Sequence, residues 1–492
     1  MDFGVAKKLM QALKVIFNLN EKLWDLIKHS STYFLGNALI ASLTFFGTAF
    51  LTRILSPQGY AIVNLVESYK SFFIVLVTLN GYTSLGRYLY ESYDDKKEFI
   101  GTLLIFCLLM LFLFQLFVCI STDYFSELLS LPKEVSLLLG FFVFIYLITS
   151  FYEQTFIPLK ESNRIITRKV IISFGSFFLG IAFALMSKNN EYLAYLYGVL
   201  VVGIFCSLAF LFELRNHIKL KFELKHLKYM ISYSIPLLPY SLSGVILAQF
   251  DKVMINDIIG KMETAFYSLA GNIAMAIPLL NSSFAMAWTP NFYNYMEKND
   301  TNSLIYEFRL LLRVLFIASF VLVLFAKEVV TLLSTKTYGE SIEVLPILIL
   351  GYFIYISFTY YSWIFSFYKR NLFLSSVVLL GGVLNIVLNY FFITFYGYTA
   401  AAFTTMFAYG FMLLLTYGVI RFYFKVFYFP LNQILFSLLL LSLLVLVVRY
   451  LNMIHYFTLW QMFFFKLIIL ASVLGYAFYK YFYPELRKKH FV

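Results

Sequence analysis

The stretch from residue 99 to residue 120 reads FIGTLLIFCLLMLFLFQLFVCI and contains no charged side chain. A second uncharged stretch, from residue 192 to residue 212, reads YLAYLYGVLVVGIFCSLAFLF. A helix needs about 20 apolar residues to cross the hydrocarbon of a bilayer, so each stretch predicts one membrane-spanning helix. Neither alternates between apolar and polar residues, and both are about twice as long as the strand of a membrane barrel, which excludes a β-barrel.

The composition of the whole chain agrees with a membrane protein. Of its 492 residues, 61% are hydrophobic and only 13% are charged, and the mean hydropathy is +0.81. A soluble domain has about 25% charged residues, because its surface must be covered by polar groups. The composition therefore excludes a soluble enzyme, a nucleic-acid-binding protein and a disordered chain.

The same length rule predicts fourteen spans, and so an all-α polytopic membrane protein. The predicted spans are 33–54, 60–82, 99–120, 135–157, 168–187, 192–212, 232–250, 265–286, 308–326, 344–368, 372–395, 398–420, 432–450 and 459–482.

The distribution of Lys and Arg predicts the orientation of these spans. If the N-terminus is inside, 28 of the 38 Lys and Arg residues fall in inside segments, 8 fall in outside segments, and Lys70 and Lys466 lie within spans. This asymmetry follows the positive-inside rule and predicts that both termini are cytoplasmic. Most of the net charge of +12 therefore reports topology rather than an anionic ligand.

The first twelve spans form an internal repeat. A shift of 207 residues superimposes spans 1–6 on spans 7–12, and it brings Tyr60 onto Tyr267 and Tyr88 onto Tyr295. Six is an even number, so the repeats share one orientation, as in parallel-repeat transporters. The predicted units are an amphipathic cytoplasmic segment at 1–32, an N-lobe at 33–230, a C-lobe at 231–425, and spans 13 and 14 with a basic cytoplasmic tail at 426–492.

Short motifs near the start of each repeat resemble a known family. They are LSPQGY at 55–60, GRYLYE at 86–91, SIPLLP at 234–239, DKVMI at 251–255, AFYSLA at 265–270 and AWTPNFY at 287–293. With the plan of six, six and two helices, they resemble the polysaccharide-export branch, with its Wzx-type O-antigen flippases, of the multidrug/oligosaccharidyl-lipid/polysaccharide exporter superfamily.

The resemblance implies a transporter of the bacterial cytoplasmic membrane and not an enzyme. Its expected substrate is a polyprenyl-pyrophosphate-linked oligosaccharide, moved to the outer leaflet by alternating access. Coupling to H⁺ or Na⁺ and contact with other polysaccharide-assembly membrane proteins are further expectations, whereas no cofactor, metal or nucleic acid is expected.

Charged side chains at membrane depth are costly and mark candidate sites. Glu67 and Lys70 are spaced i and i+3 on one face of span 2, roughly 10–15 Å below the outer surface. Lys70 is a candidate ligand of the pyrophosphate or a sugar, with Glu67 binding a coupling cation or holding Lys70 in place; the alternative is a structural ion pair. Asn64 extends the polar stripe and is a candidate for bonding a sugar hydroxyl.

Further candidate residues lie near the span ends. Arg53 and Arg87 suit bidentate phosphate contacts, although snorkelling to the interface is the alternative for each. Asp251 and Lys252, at the predicted end of span 7, are candidates for a gate or a structural lock between the lobes. Glu153 is a candidate proton or cation site, with a helix-end anchor as the alternative.

Two more side chains are assigned from their positions alone. Trp288 is a candidate for stacking on a sugar, with interfacial packing as the alternative. Lys466, in span 14, is expected to pair with a lipid phosphate or to snorkel.

Other functions remain possible at the level of the sequence. The main alternative is a cation-coupled multidrug antiporter of the same superfamily, and a lipid II-type precursor flippase is another. A polymerase or ligase would need a long external loop, which this chain lacks. A glycosyltransferase would need external acidic residues, whereas Asp94 and Asp95 fall inside and are expected in a solvated loop, with metal binding there as a lesser possibility.

Overall fold

The computed structural model describes residues 21–91, 95–425, 429–453 and 459–477. Its described elements are helices joined by short connections, which confirms the all-α membrane class. Residues 1–20 of the predicted amphipathic segment lie outside the described residues. The division into lobes stays a prediction.

The first half of the chain contains eight helices. They are α1 (Glu21–Ile54), α2 (Pro57–Val77), α3 (Tyr82–Tyr90), α4 (Lys96–Ile120), α5 (Thr122–Leu128), α6 (Lys133–Phe156), α7 (Ser162–Met186) and α8 (Glu191–Leu214).

The second half, with the appended helices, contains ten. They are α9 (Leu224–Ile258), α10 (Lys261–Ala274), α11 (Ala276–Lys298), α12 (Thr301–Leu324), α13 (Ala326–Leu333), α14 (Ser341–Phe367), α15 (Asn371–Tyr396), α16 (Thr399–Val419), α17 (Leu431–Met453) and α18 (Leu459–Ala477).

The count of fourteen spans is not confirmed. Among the described residues, eleven helices are long and apolar enough to cross a membrane, or twelve if α12 and α13, which meet at a bend of 67°, form one span. The predicted eighth span, 265–286, is divided between α10 and α11 at Met275. The fourteenth contributes only an apolar helical stretch at Phe463–Ser472.

The second span is also interrupted, and the sequence explains where. Helix α2 begins at Pro57 behind Ser56, whose Oγ accepts a hydrogen bond from the Gly59 amide, because proline suits the first turn and serine caps it. It ends before Leu79 and Asn80, which have φ of 50° and 57°. Two consecutive left-handed residues cannot continue a right-handed helix. The chain therefore restarts as the separate short helix α3.

Close helix packing in the first half depends on small residues. A Cβ added to Gly198 of α8 would lie 2.6 Å from the carbonyl oxygen of Leu179 and 2.7 Å from the Cα of Gly180, both on α7. Small residues allow the backbones of membrane helices to approach in this way. The α7–α8 pair is therefore held at a distance that a larger side chain would not permit.

Contacts between the two halves are made chiefly by the first two helices. Helix α2 packs against α9 and α10, and α1 packs against α11 and α13. Helix α2 is consequently surrounded by protein along most of its length, and its polar side chains lie between the halves of the molecule.

Candidate functional site

The charged pair of α2 is formed by Glu67 and Lys70. The Lys70 ammonium is 2.6 Å from the Glu67 carboxylate, and their side chains are 17% and 56% exposed. Lys70 also lies 5.6 Å from the ring centre of Tyr146. The two residues share a helical face, and their ion pair fits both Glu67 holding Lys70 in place and a structural ion pair. The carboxylate, rather than the ammonium, is the more accessible end.

Glu67 faces groups from both halves. Its charge acts on Tyr146 of α6 and Tyr195 of α8 in the first half, and on Lys252 of α9 in the second. Glu67 therefore interacts electrostatically with side chains of both halves, while its hydrogen-bonding partner is Lys70.

A hydrogen-bonded junction connects α2 to the second half on the side of the Glu67–Lys70 pair that is predicted to be outer. The Asn272 amide of α10 donates to the Tyr60 hydroxyl at 2.8 Å and to Asn64 Oδ1 at 3.0 Å. Asn64 also donates to the Tyr60 carbonyl oxygen at 2.9 Å. Asn64, a predicted sugar ligand, is thus occupied by a contact between the halves. We call these three residues the outer junction.

Arg53 supports the same end of the molecule. Its guanidinium donates to the carbonyl oxygen of Leu332 at 2.8 Å, and Thr52 Oγ1 donates to that of Leu333 at 2.9 Å. These bonds connect the end of α1 to α13. Arg53 therefore satisfies the carbonyl groups at the end of a helix, and this role was not among the sequence-based alternatives.

Asp251 occupies a cage of polar side chains inside the second half. Its carboxylate accepts hydrogen bonds from Thr405 Oγ1 at 2.6 Å, from the Asn389 amide at 2.7 Å and from the Tyr267 hydroxyl. Asn385 donates to Thr405 Oγ1 at 2.9 Å. We call these five residues the Asp251 cage. It joins α9, α10, α15 and α16.

The position of Asp251 corrects the end of the seventh span. The prediction ends that span at residue 250, whereas α9 continues to Ile258. Asp251 and Lys252 are therefore buried within the helix. The donors of the cage make burial of the carboxylate possible, because a buried charge without hydrogen-bonding partners is strongly unfavourable.

Lys252 turns towards the first half. Its ammonium lies 3.4 Å from Gln249 Oε1, which also accepts a hydrogen bond from Ser68 of α2 at 3.1 Å. Gln249, Asp251, Lys252 and Tyr267 line one cavity together. A lysine has three donors, and the contact with Gln249 is long, so the ammonium has the capacity to bind a further acceptor.

The predicted cytoplasmic candidates are held in ion pairs. Arg87 is paired with Glu91 at 2.7 Å, and Glu153 is paired with Lys169 at 2.9 Å. Asp95 lies in the turn before α4 and is 29% exposed, and hydrogen bonds from Lys225 and Tyr88 lower its pKa to about 2. Asp94 lies outside the described residues.

Trp288 and Lys466 have protein partners. Trp288 is buried among Phe292, Tyr360 and Trp363, with ring centres 5.3–5.8 Å away. Lys466 is fully buried and pairs with Glu328 of α13 at 2.8 Å. The expected pairing of Lys466 with a lipid phosphate is wrong, because a carboxylate of this chain is available at the same depth.

The sequence analysis did not identify Asn272, Tyr267, Asn385, Asn389 or Thr405. These are uncharged residues within apolar runs, and they become conspicuous only when the fold brings them to Asn64 or Asp251. The only hint in the sequence is Tyr267, which the 207-residue shift pairs with Tyr60.

The comparisons with known proteins agree with this architecture. A family described as "Polysaccharide biosynthesis protein" matches residues 26–296. The structure of a lipid II flippase, MurJ, in an inward closed conformation is similar, with a TM-score of 0.70, 16% identity, and coverage of 94% of this chain and 99% of its own. No curated protein sequence matches the chain.

Two further solved structures are similar. An inward-facing multidrug resistance MATE family transporter of the MOP superfamily has a TM-score of 0.63 at 15% identity, covering 84% of this chain and 98% of its own. A MOP superfamily transporter from Pyrococcus furiosus has a TM-score of 0.55 at 14% identity, covering 81% and 96%. At such identities, the similarity establishes the fold alone.

Proposed function

The chain belongs to the polysaccharide biosynthesis protein family, and we propose on this premise that it is a lipid-linked oligosaccharide flippase. The family is a Wzx-type family of multi-pass membrane transporters in the MOP superfamily. The proposed substrate is a polyprenyl-pyrophosphate-linked glycan unit. The protein resides in the bacterial cytoplasmic membrane with both termini in the cytoplasm, and it moves the unit to the outer leaflet by alternating access, beside other membrane proteins of polysaccharide assembly.

The observation that carries the proposal is the meeting of charged side chains from both halves at membrane depth. Glu67 pairs with Lys70 on α2 and interacts electrostatically with Lys252 on α9. Gln249 bonds to both Ser68 of α2 and Lys252. An anionic headgroup needs cations and hydrogen-bond donors that are shielded from lipid. Lys252 is the more available cation, because Lys70 is already paired with Glu67. We therefore assign the first pyrophosphate contact to Lys252. Lys70 makes a later contact, after Glu67 has been displaced.

Arg87 has an entry role in this scheme. It is highly exposed on α3, at the end of the molecule predicted to be cytoplasmic. An arginine can exchange one carboxylate partner for a phosphate without leaving the surface, because its guanidinium binds both groups bidentately. Arg87 would therefore pass the headgroup from solvent towards Lys70 and Lys252.

Asp251 is assigned to coupling. Its cage directs two hydroxyl groups and one side-chain amide NH2 at a buried carboxylate, and these neutral donors are its hydrogen-bonding partners in the described structure. H⁺ or Na⁺ bound there would remove the cost of the buried charge. Because Tyr267 and Asn272 lie on the same short helix, α10, a rearrangement of the cage is transmitted directly to the outer junction.

A strain that lacks this gene, complemented with variants, tests the proposal. We expect wild type and Lys188→Met, a change at an exposed lysine, to restore surface polysaccharide and the labelling of lipid-linked glycan by an impermeant probe at the outer leaflet. Lys252→Met should abolish both at normal protein abundance. Unchanged surface polysaccharide together with increased sensitivity to cationic drugs would favour the antiporter instead.

A second pair of variants tests the coupling site. Asp251→Asn should retain substrate binding but lose the dependence of transport on a Na⁺ or H⁺ gradient, whereas Asp257→Asn, an exposed change on the same helix, should behave as wild type. If Asp251→Asn transports normally with unchanged ion dependence, the assignment of coupling to this residue is wrong.

A further inference from the structure

Four potential metal ligands converge where the segment between the two halves passes the start of α4. His226 Nε2, on the first turn of α9, lies 3.5 Å from Glu223 Oε2 and 3.6 Å from Asp95 Oδ2. Glu98 joins the group, since one ligand atom each of Glu98, Glu223 and His226 lie within 4.8 Å of one another. The four residues come from both halves of the chain and from the connection between them.

The hydrogen bond of Tyr88 favours one tautomer of a neutral His226. The Tyr88 hydroxyl donates to Asp95 Oδ1 at 2.6 Å and lies 3.4 Å from His226 Nδ1. The single hydroxyl proton is used on Asp95, so the Tyr88 oxygen is available as an acceptor for a proton on Nδ1. In the neutral imidazole, Nε2 then bears the lone pair.

This lone pair points towards acceptors. Nε2 of His226 is buried without a hydrogen-bond partner in the structure, and the side chain is only 2% exposed. Its neighbours at 3.5–3.6 Å are two carboxylate oxygens, which are acceptors as well. With its lone pair on Nε2, the buried imidazole faces two carboxylate oxygens, and a cation placed among the three acceptors would stabilise them.

The nearby lysines do not fill this role for His226. Lys225 lies 2.6 Å from Asp95 Oδ2 and 3.1 Å from Glu223 Oε2, and Lys219 lies 2.6 Å from Glu98 Oε1. Lys221 pairs with Glu223 and lies 3.4 Å from Glu98 Oε2. The three lysines are 52–61% exposed and reach the carboxylates from the solvent side. They pair with the carboxylates, and within the described residues His226 Nε2 is the atom of the group that keeps no hydrogen-bond partner.

We propose that His226, Glu223, Asp95 and Glu98 form a binding site for one divalent transition-metal ion, with Zn²⁺ as its occupant. A mixed set of imidazole and carboxylate ligands suits Zn²⁺ better than Ca²⁺ or Mg²⁺, which prefer oxygen alone. Zn–N and Zn–O bonds of about 2.0–2.2 Å place neighbouring ligand atoms about 3.3–3.6 Å apart in a tetrahedral site. The two measured spacings from His226 already match this value.

The surroundings of His226 supply the usual support of a metal ligand. The Tyr88 oxygen holds the Nδ1 proton, as an outer hydrogen-bond partner does in established zinc sites. The rings of Tyr88 and Phe99 stack at 3.7 Å, and the imidazole packs edge-on against both. The ring is therefore fixed before an ion arrives, and only exposed lysines have to move.

A bound ion would connect α4 in the first half to the start of α9 in the second. Without it, described contacts such as the one between the Lys219 amide and the Lys97 carbonyl oxygen, at 2.9 Å, hold the same segment. The ion would make this end of α9 a fixed point about which the rest of the second half moves. This inference does not depend on which substrate is transported.

The test uses the full-length protein, purified without a polyhistidine tag and treated with EDTA. Titration with Zn²⁺ should give one site per chain and raise the Tm. His226→Gln or Glu223→Gln should lower the affinity for Zn²⁺ strongly. Loss of a hydrogen-bond partner of a metal ligand lowers the affinity about 10–100-fold, and loss of a ligand itself should lower it further. His217→Gln, a change at another histidine of the connecting segment, should leave it unchanged.

A further variant distinguishes a metal site from a network of ion pairs. Lys225→Ala removes a competitor for Asp95 and Glu223, so it should tighten Zn²⁺ binding several-fold while it lowers the Tm of the metal-free protein. The proposal is overturned if Zn²⁺ binds at less than one ion per chain and His226→Gln does not change this binding. In that case a protonated His226 is the cation that pairs with the carboxylates. If His226→Gln fails to fold, Glu223→Gln and Lys225→Ala still decide between the two outcomes.

Discussion

Replacement of Asn272 by leucine should open the outer junction. In the described structure, its amide makes both of the side-chain bonds that join α10 to α2, to the Tyr60 hydroxyl at 2.8 Å and to Asn64 Oδ1 at 3.0 Å. Leucine has a similar volume but no donor. Asn272→Leu therefore removes the polar contact with little change in packing.

The size of the effect follows from the two bonds. A neutral hydrogen bond contributes about 0.5–1.5 kcal/mol net, and bonds between membrane helices average about 0.6 kcal/mol. Loss of both should weaken the closed outer end by about 1–3 kcal/mol, because the bonds exist only when α2 and α10 are in contact. The population open to the outside should then rise by about 5–150-fold.

A cysteine at Gly271 reports this population. The position is buried next to Asn272, and a Cβ there has no neighbour within 4 Å, so Gly271→Cys fits without strain. In a background without the three natural cysteines, the rate of reaction with an impermeant, positively charged thiol reagent applied from outside should rise with the open population.

Asn256→Leu provides the matched control. Asn256 is buried on α9, and neither side-chain polar atom has a hydrogen-bond partner in the structure, so its replacement removes no contact between the halves. The reasoning is refuted if Asn272→Leu reacts at the wild-type rate, or if Asn256→Leu accelerates the reaction equally.

Three further predictions concern stability and the polar pair. Glu328→Gln should lower the free energy of unfolding in detergent by about 3–5 kcal/mol, because it leaves Lys466 buried without its counter-charge. Addition of Lys466→Met should restore most of this loss in the same denaturation measurement. Gly198→Ala should cost about 1–3 kcal/mol in the same assay, because its Cβ meets the backbone of α7. Lys70→Met should abolish transport at normal protein abundance. The Glu67→Gln, Lys70→Met double variant should also be inactive.

Specific results would contradict these three predictions. If the Glu328→Gln, Lys466→Met double variant is no more stable than Glu328→Gln, the unpaired Lys466 is not the source of the lost stability. Gly418→Ala, where a Cβ meets nothing within 4 Å, should be neutral or stabilising. Rescue of transport by the Glu67→Gln, Lys70→Met double variant would identify this pair as purely structural.

The sequence allowed the membrane class and most helices to be predicted, because a run of about 20 apolar residues is a local property. It failed where two breaks interrupt such runs. The left-handed pair Leu79 and Asn80 has no proline beside it, whereas the break at Met275 is followed by Pro278, which lacks the amide that would bond to the Ala274 carbonyl oxygen. Such breaks are stabilised by tertiary contacts, for instance the 2.9 Å hydrogen bond from the Asn80 amide to Ser241 on α9.

The candidate site could be predicted only in part, for a related reason. Charges at membrane depth are conspicuous in the sequence, so Glu67, Lys70, Asp251 and Lys252 were found. Their partners were not, because Thr405 lies 154 residues from Asp251 and nothing in periodicity links the two. The spacing of Glu67 and Lys70 was informative because the pair lies within a single helical turn.

The bond between Lys466 and Glu328 also has a consequence for synthesis of the protein. The two residues are 138 positions apart, so a ribosome that adds about 5–20 residues per second reaches Lys466 some 7–28 s after Glu328. During this interval the carboxylate of α13 has to stay at the membrane surface or bind a temporary partner. Docking of α18 thus comes late in assembly, and a chain that stops short of it would display an unmatched acidic group to membrane proteases.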